Sequence, residues 1–208
     1  MDIFDRDYYE RGIETGKSCY QNYRWIPELT IPLAMTIIDY LGIKRGQTIL
    51  DLGCAKGYLV KAFRLLYRQA WGLDISEYAI RNVDPEVKEF CSLGNSLGCD
   101  THYDICVAKD VFEHIPESIL RDVIQGIKSD ILFAVMPLGE DGSFNAPANN
   151  MDITHVTCQP AVWWSNVFTD CGWRQKRFAF QVKGIKDSYY EKYQDAHGFF
   201  VLEKRGTK

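Results

Sequence analysis

The stretch 47–60, which reads QTILDLGCAKGYLV, constrains the fold more than any other part of the chain. Its first residues are apolar and β-prone, so they predict a buried strand that is closed by Asp51. Small residues then stand at every second position and allow a ligand to lie against bare backbone. They are Gly53, Ala55 and Gly57. A helix predicted to begin near Tyr58 directs unpaired amide groups and the positive end of its dipole toward the same crevice, as in a nucleotide-binding site.

The spacing of these small residues separates two classes of ligand. A dinucleotide fingerprint requires Gly-x-Gly-x-x-Gly, in which the third glycine allows the helix to pack closely on the strand. Tyr58 occupies the position of that third glycine. The pattern therefore argues against an NAD-dependent oxidoreductase.

Two motifs resemble those of the class I S-adenosylmethionine (SAM) dependent methyltransferases. The pattern Asp51-x-Gly53-x-Ala55-x-Gly57 is similar to motif I of that family, with Ala55 where a glycine is commonest. Downstream, the apolar segment 103–109 is followed by Asp-Val-Phe-Glu-His-Ile-Pro, which resembles the fourth motif of the family. The two motifs occur in the expected order and at the expected distance, and the resemblance covers about residues 30 to 204.

This resemblance implies SAM as the cofactor and a set of cofactor contacts. The methionine end is expected on the turn 51–57, the ribose at Asp74, the adenine near Ile75 and Asn95, and the transferable methyl near Lys109. The complete predicted cofactor site consists of Asp51, Gly53, Cys54, Ala55, Gly57, Tyr58, Asp74, Ile75, Asn95, Lys109 and Asp110. Asp100 is the alternative to Asn95 for the adenine contact.

The position of Asp74 in the chain independently predicts that it contacts the ribose. It ends a second short strand, where a doubly wound fold places a carboxylate beside the ribose and its two oxygens accept from both hydroxyls. The alternative is that Asp74 caps the helix that follows, although Ser76 is a good cap for the same helix.

A base near the methyl group assists transfer to a hydroxyl or an amine, because the acceptor loses a proton. The predicted catalytic residues are His155, Asp110 and His114, and Glu113 is a further candidate. His155 stands close to Asp152, and a hydrogen bond between them would orient the imidazole and raise its basicity. The alternative for each histidine is a structural role in a loop or at the start of a helix.

The acceptor is predicted to be a small polar molecule. The fourth strand is not followed by the Asn/Asp-Pro-Pro-Tyr/Phe motif of enzymes that methylate nucleic-acid bases, and no Pro-Cys dipeptide occurs. The net charge of −4, with both signs scattered, also argues against a nucleic-acid surface. The aromatic and polar texture of 152–173 is similar to that of enzymes acting on sugars and secondary metabolites. The alternative is a catalytically inactive partner or regulatory subunit with the same fold.

Composition and length define the remaining expectations. The 208 residues predict a single methyltransferase domain, 1–208, with an N-terminal arm or lid at 1–29 and a SAM-binding core at 30–204. The arm either folds over the cofactor pocket or packs its tyrosines on the outside. The predicted fold is α/β: a Rossmann-like, doubly wound, seven-stranded and mostly parallel sheet with an antiparallel last strand.

The cysteine pattern and the N-terminus predict a cytoplasmic protein. Seven cysteines include no Cys-x-x-Cys pair, which favours reduced thiols over a disulfide framework. The charged N-terminus is unlike a signal peptide, and no apolar run is long enough for a membrane helix. His155-x-x-Cys158 is half of a zinc pattern without a second half, so no metal site is predicted. The sequence indicates no oligomeric state.

Overall fold

A seven-stranded sheet forms the centre of the computed structural model, which describes residues 3–206. The strands in chain order are β1 (Thr48–Leu52), β2 (Gln69–Asp74), β3 (Cys91–Leu93), β4 (Tyr103–Lys109), β5 (Ser129–Pro137), β6 (Gly139–Glu140), β7 (Ser143–Phe144), β8 (Trp173–Ala179) and β9 (His197–Lys204). The α-helices are α1 (Arg6–Glu10), α2 (Gly12–Thr15), α3 (Pro27–Leu41), α4 (Tyr58–Leu65), α5 (Glu77–Arg81), α6 (Glu117–Gln125) and α7 (Ala161–Asp170). Strands β6 and β7 form a separate hairpin.

The spatial order of the large sheet is β3-β2-β1-β4-β5-β9-β8. Strands β1 to β5 pair in parallel, and β9 runs antiparallel to both β5 and β8. This is the seven-stranded, mostly parallel α/β sheet that the sequence predicts, and the fold prediction is confirmed. The chain passes from β1 outward to β3 and then returns to β4, so a crevice opens between β1 and β4 at their carboxyl ends.

Burial on both faces explains why the central strands are continuous apolar runs rather than alternating ones. Ile49 and Leu50 of β1 are buried, as are all residues of β4 from Ile105 to Ala108. Two hydrophobic clusters cover the sheet. One contains Phe63, Phe133 and Phe199, and the other contains Phe112, Leu120, Trp164, Phe168 and Trp173.

The residues at the two ends of the helix before β1 explain where it begins and ends. Pro27 occupies the first turn of α3, where a missing amide proton costs no hydrogen bond. Gly42 ends the helix at φ 69°, a left-handed conformation in which its amide donates to the carbonyls of Ile38 and Asp39. The helix delivers the chain directly to β1.

The stretch 138–159 is rich in Gly, Asn, Asp and Pro, but it is more structured than this composition indicates. It contains the β6–β7 hairpin and a 3₁₀-helix at Pro147–Met151. At the other end of the chain, β8 stops at Ala179 and β9 begins at His197. No helix within residues 3–206 is long and apolar enough to cross a membrane.

Phe133 provides a test of the core. It is fully buried at the centre of β5, so we expect Phe133→Ala to lower the free energy of unfolding by about 3–5 kcal/mol through lost burial and the cavity left behind. Urea denaturation measures the change. Val162→Ala on the exposed side of α7 is the control and should shift stability by less than about 0.5 kcal/mol. Equal effects of the two substitutions would contradict the assigned core.

Candidate functional site

A cavity of about 530 Å³ lies at the carboxyl ends of β1, β2 and β4. Its walls include ten of the eleven residues predicted to contact the cofactor. They are Asp51, Gly53, Cys54, Ala55, Tyr58, Asp74, Ile75, Asn95, Lys109 and Asp110. Gly57 lies outside this lining. A Cβ at Gly57 would stand 2.9 Å from the Cys91 sulfur, so this glycine makes room for β3 and its neighbours instead.

The turn after β1 is shaped by Gly53 and Ala55, which both have left-handed backbones at φ 78° and 49°. A Cβ at Gly53 would lie 2.6 Å from Cγ2 of Val111, so this position excludes any side chain. Ala55 carries a Cβ in a conformation that favours glycine. Its amide donates to Oδ2 of Asp74 at 2.7 Å, which holds the turn in place.

Asp74 supports the floor of the cavity with both carboxylate oxygens. Oδ2 accepts from Ala55 N, and Oδ1 accepts from Ser76 N at 2.8 Å. Ser76 is the residue that caps α5, since its hydroxyl accepts from Ala79 N. An ionised carboxylate can accept about four hydrogen bonds, so these two contacts do not exhaust the capacity of Asp74 as an acceptor.

Asp51 is 4% exposed and faces the cavity from β1. Its side chain makes no hydrogen bond or ion pair with any residue in the range 3–206. Burial raises the pKa of Asp51 to about 8, with the positive charge of Lys109 acting against the shift and the negative charge of Asp74 adding to it. The site therefore places a desolvated carboxyl, without a cationic partner in contact, beside the glycine turn.

The N-terminal arm forms one wall of the cavity. The aromatic side chains that line it from this segment are Phe4, Tyr8, Tyr9, Tyr20 and Tyr23. The Lys56 ammonium group holds the arm to the turn through the Glu10 carboxylate and through the Tyr23 carbonyl at 2.9 Å. Ser76 also donates its hydroxyl proton to the Phe4 carbonyl at 2.5 Å.

A second, inner cavity of about 260 Å³ adjoins the first. The two share six lining residues: Tyr8, Cys19, Tyr20, Lys109, Asp110 and His114. The inner cavity adds Glu113, Asp152, His155, Lys186 and Tyr189, so charged and polar groups dominate its wall. The predicted catalytic residues His155, Asp110 and His114 thus meet around one space.

Asp110 lies between two lysines. Its Oδ2 accepts from Lys109 Nζ at 2.5 Å, and its Oδ1 lies 2.8 Å from Lys186 Nζ. Burial alone would raise the pKa of Asp110, but the two ammonium groups outweigh burial and lower it. Asp110 also has a left-handed backbone at φ 57°, a conformation that costs energy outside glycine and is frequent at functional sites.

Backbone hydrogen bonds bring His155 against His114. The amides of Val156 and Thr157 both donate to the carbonyl of Glu113 at 2.9 Å, which fastens the loop before α7 to the turn after β4. The two imidazole rings consequently lie with their centroids 4.7 Å apart. Sequence spacing alone does not encode this contact, because it depends on a loop that is irregular.

The predicted hydrogen bond between Asp152 and His155 is not formed. Oδ2 of Asp152 lies 4.0 Å from Nε2 of His155, which is too long for a hydrogen bond. Asp152 instead accepts from the hydroxyl of Thr154 at 2.5 Å and from that of Tyr8 at 3.2 Å. Thr154 in turn lies 2.7 Å from Nδ1 of His114, so the carboxylate orients His114 through a hydroxyl.

Glu113 is fully buried, and both carboxylate oxygens lack a hydrogen-bond partner among residues 3–206. Burial, reinforced by the negative charge of Asp110, raises the pKa of Glu113 well above its ordinary value. Burial and the neighbouring His155 lower the pKa of His114 to about 4. The inner cavity therefore contains two differently placed carboxylates: Asp110 pairs with two ammonium groups, and Glu113 pairs with none among the described residues.

Sequence reasoning missed two groups of lining residues. The sequence shows that the arm is rich in tyrosine, but it does not show whether these tyrosines face the cavity or the outside of the domain. Lys186 and Tyr189 had no signal in the sequence, because they belong to the polar segment between β8 and β9 and reach the site through the tertiary fold.

Comparison with known families gives a match to the methyltransferase domain model over residues 28–170, which is more than half of the chain. Comparison with curated protein sequences gives no significant match. Similar solved structures include a SAM-dependent methyltransferase from Archaeoglobus fulgidus. It has a TM-score of 0.62 and 14% identity, and the alignment covers 83% of this chain and 93% of the other.

Two further structures share the fold. A SAM-dependent methyltransferase from Clostridium acetobutylicum has a TM-score of 0.64 at 10% identity, covering 85% of this chain and 92% of the other. A chain from the complex of the Haloferax volcanii Trm112 methyltransferase activator with its methyltransferase has a TM-score of 0.66 at 13% identity, covering 87% and 92%. At these identities the likeness concerns the fold, and the family match carries the assignment.

The raised pKa of Asp51 predicts how stability depends on pH. Between about pH 4 and pH 8 the folded protein holds a proton on this group that the unfolded chain releases, so the free energy of unfolding falls as pH rises. The slope due to this group reaches up to about 1.4 kcal/mol per pH unit. Asp51→Asn removes that slope, which denaturant titrations at several pH values measure.

The exposed Asp39 on α3 offers a control. Asp39→Asn should leave the difference from wild type constant across the same pH range. A stability difference between wild type and Asp51→Asn that does not change from pH 5 to pH 8 would contradict the raised pKa.

Proposed function

Because the chain belongs to the methyltransferase domain family and is a SAM-dependent methyltransferase, we propose that it methylates a hydroxyl or an amine of a small polar acceptor. A sugar or a secondary metabolite is the acceptor class that we favour. The observation that carries this proposal is the polar inner cavity beside the cofactor cavity, with His155, Asp110 and His114 around it. Its volume of about 260 Å³ lies below the roughly 300–1,000 Å³ of drug-sized ligand sites, so it fits a small molecule or one part of a larger one.

The residues of the larger cavity fit the cofactor. The volume of about 530 Å³ lies within the range of small-molecule sites. Gly53 exposes bare backbone, Asp51 offers a desolvated carboxyl to the ammonium group of the methionine end, and Asp74 offers lone pairs to the ribose hydroxyls. Ile75 and Asn95 line the same cavity and are assigned to the adenine. Aromatic rings of the arm favour a cationic ligand through their negative faces.

When bound, SAM supplies a methyl group that an acceptor lone pair takes from a positively charged sulfur, while the sulfur keeps the electrons of the broken bond and the acceptor gives up a proton. The protein aligns the two molecules, which accounts for much of the rate in such reactions. Tyr8 and Tyr20 border both cavities. Lys109 and Asp110 form the shared wall at the end of β4.

Among the predicted bases, the geometry favours His155. Its Nδ1 lies 2.7 Å from the carbonyl of Asn149, an acceptor, so this nitrogen carries the proton and Nε2 has a free lone pair. Asp110 is a weaker candidate because two ammonium groups occupy its oxygens. We therefore assign to His155 Nε2 the contact with the acceptor group that is methylated.

Two further proposals concern the setting of the reaction. The net charge of −4 and the polar inner cavity support a small molecule rather than nucleic acid as the acceptor. All seven cysteines are free thiols, which supports a cytoplasmic location.

Titration with SAM tests the cofactor site. We expect wild type to bind SAM and not NAD, and Asp74→Ala to weaken SAM binding by about 2 kcal/mol, or roughly 30-fold, through lost hydrogen bonds. Asp74→Asn should lose less, because its amide oxygen still accepts. Isothermal titration calorimetry measures each affinity, with the exposed Asp39→Ala as control. Absence of SAM binding to wild type would favour the inactive partner-subunit alternative.

Substitution of His155 tests the acceptor side. We expect His155→Ala to lower kcat by about 100-fold or more, because the group that contacts the reacting atom is lost. The Kd for SAM should change by less than about twofold, since only the inner cavity is altered. The measurement is methyl transfer to acceptors found by screening sugars and related hydroxyl and amine compounds.

The matched control is His102→Ala, because His102 is exposed and precedes the amino end of β4, at the opposite edge of the sheet. It should leave both constants unchanged. An unaltered kcat in His155→Ala would give His155 a structural role and reject the assignment.

A further inference from the structure

We propose that Glu113, His114 and His155 bind a divalent transition-metal cation in the inner cavity. One potential ligand atom from each residue lies within 4.8 Å of those of the other two. Two imidazole nitrogens and one carboxylate oxygen form a ligand set that holds a metal ion and leaves coordination positions open.

The hydrogen bonds of the two histidines prepare both rings for a cation. His155 Nδ1 faces the Asn149 carbonyl at 2.7 Å, so this nitrogen is the donor. The Thr154 hydroxyl donates to Asp152 and can therefore only accept from His114 Nδ1, which makes that nitrogen a donor as well. Each Nε2 is left with a free lone pair. A ligating histidine usually donates its other ring proton in this manner to a carboxylate, carbonyl or hydroxyl.

Glu113 provides the second, independent observation. Its carboxylate is fully buried, and neither oxygen has a hydrogen-bond partner within the described part of the chain. Buried polar groups are almost always satisfied, so an unpartnered carboxylate pointing into a cavity requires an explanation. The backbone carbonyl of the same residue holds the loop that carries His155. A cation between the three side chains would satisfy the carboxylate and join the turn after β4 to that loop.

The donor atoms indicate which cations fit. Imidazole nitrogen suits Zn²⁺, Cu²⁺, Fe²⁺ and Ni²⁺, whereas Mg²⁺ and Ca²⁺ prefer oxygen alone. The ammonium groups of Lys109 and Lys186 line the same cavity, and both are paired with Asp110. Asp152 adds a further carboxylate to the cavity wall. The carboxylates of the cavity therefore allow a metal cation beside the two ammonium groups.

A cation here deepens the proposed function and rests on it for its role. His114 lines both cavities, so an acceptor oxygen at an open coordination position would lie beside the cofactor cavity. Coordination lowers the pKa of a hydroxyl, and the proton then leaves to solvent while the oxygen lone pair is used for methyl transfer. His155 would then assist the acceptor through the cation, and its removal lowers turnover in this case too.

Metal titration tests the site without any acceptor. Chelator-treated wild-type protein is titrated with Co²⁺ by visible absorption and with Zn²⁺ by calorimetry, and we expect one ion per chain. Glu113→Gln and His155→Gln should each weaken binding by more than about 100-fold, since loss of even a group that supports a ligand costs 10–100-fold. His102→Gln is the matched control and should bind as wild type does. Urea denaturation of each variant reports whether it folds.

Three results would overturn the inference. The first is that wild type shows no saturable binding of either metal ion, and the second is that folded Glu113→Gln binds the ion with the same affinity as wild type. The third is a strong sulfur-to-cobalt absorption band, which would place the ion at Cys19 in the same cavity. The assay of methyl transfer separates this inference from the proposed function. If the protein binds metal weakly and transfers methyl groups fully in the presence of chelator, the cation is rejected and the proposed acceptor class stands. If it binds metal tightly but methylates no small polar compound, the metal site stands and the acceptor class is rejected.

Discussion

The parallel pairing of β1 with β4 brings together the two turns around which the site is built. Asp51 is in register with Val107, so the two strands end side by side and their following turns form the two walls of the crevice. Both turns are sharp, with left-handed backbones at Gly53 and Asp110. The walls also touch, because Val111 packs where a side chain at position 53 would be. The larger cavity and the inner cavity therefore meet at this junction of the two turns.

The sequence predicted those parts of the site that are encoded in contiguous stretches. A strand followed by a glycine turn and a helix has a local pattern, and an acid at the end of the next strand is placed by the doubly wound topology. Asp51, Gly53 and Asp74 accordingly lie together in the lining of the larger cavity. Gly57 differs because a glycine gives the same signal whether it makes room for a ligand or for a protein neighbour. Here it makes room for Cys91.

The contacts within the inner cavity could not be predicted from the sequence, because packing between distant parts of the chain forms this cavity. Lys186 reaches Asp110 from the segment between β8 and β9, and no local pattern indicates that contact. The spacing of Asp152 and His155 predicted a hydrogen bond that the loop does not make. That loop follows no regular period. Hydrogen bonds to the Glu113 carbonyl and hydrogen bonds within the loop, such as that from Thr154 to Asp152, determine its course. Residue types were therefore predictable there, whereas their partners were not.

The distribution of charge in the inner cavity gives a reason for the orphaned carboxylate. Both lysines pair with Asp110, although Glu113 lines the same cavity. The nearby imidazoles direct their ring protons outward, to Thr154 and to the Asn149 carbonyl, so neither Nδ1–H is available to Glu113. Lone pairs then gather around one space without a donor, which is unfavourable in a buried site unless a proton or a cation neutralises them. A proton would satisfy one carboxylate oxygen, but a cation would satisfy the carboxylate and both imidazoles together.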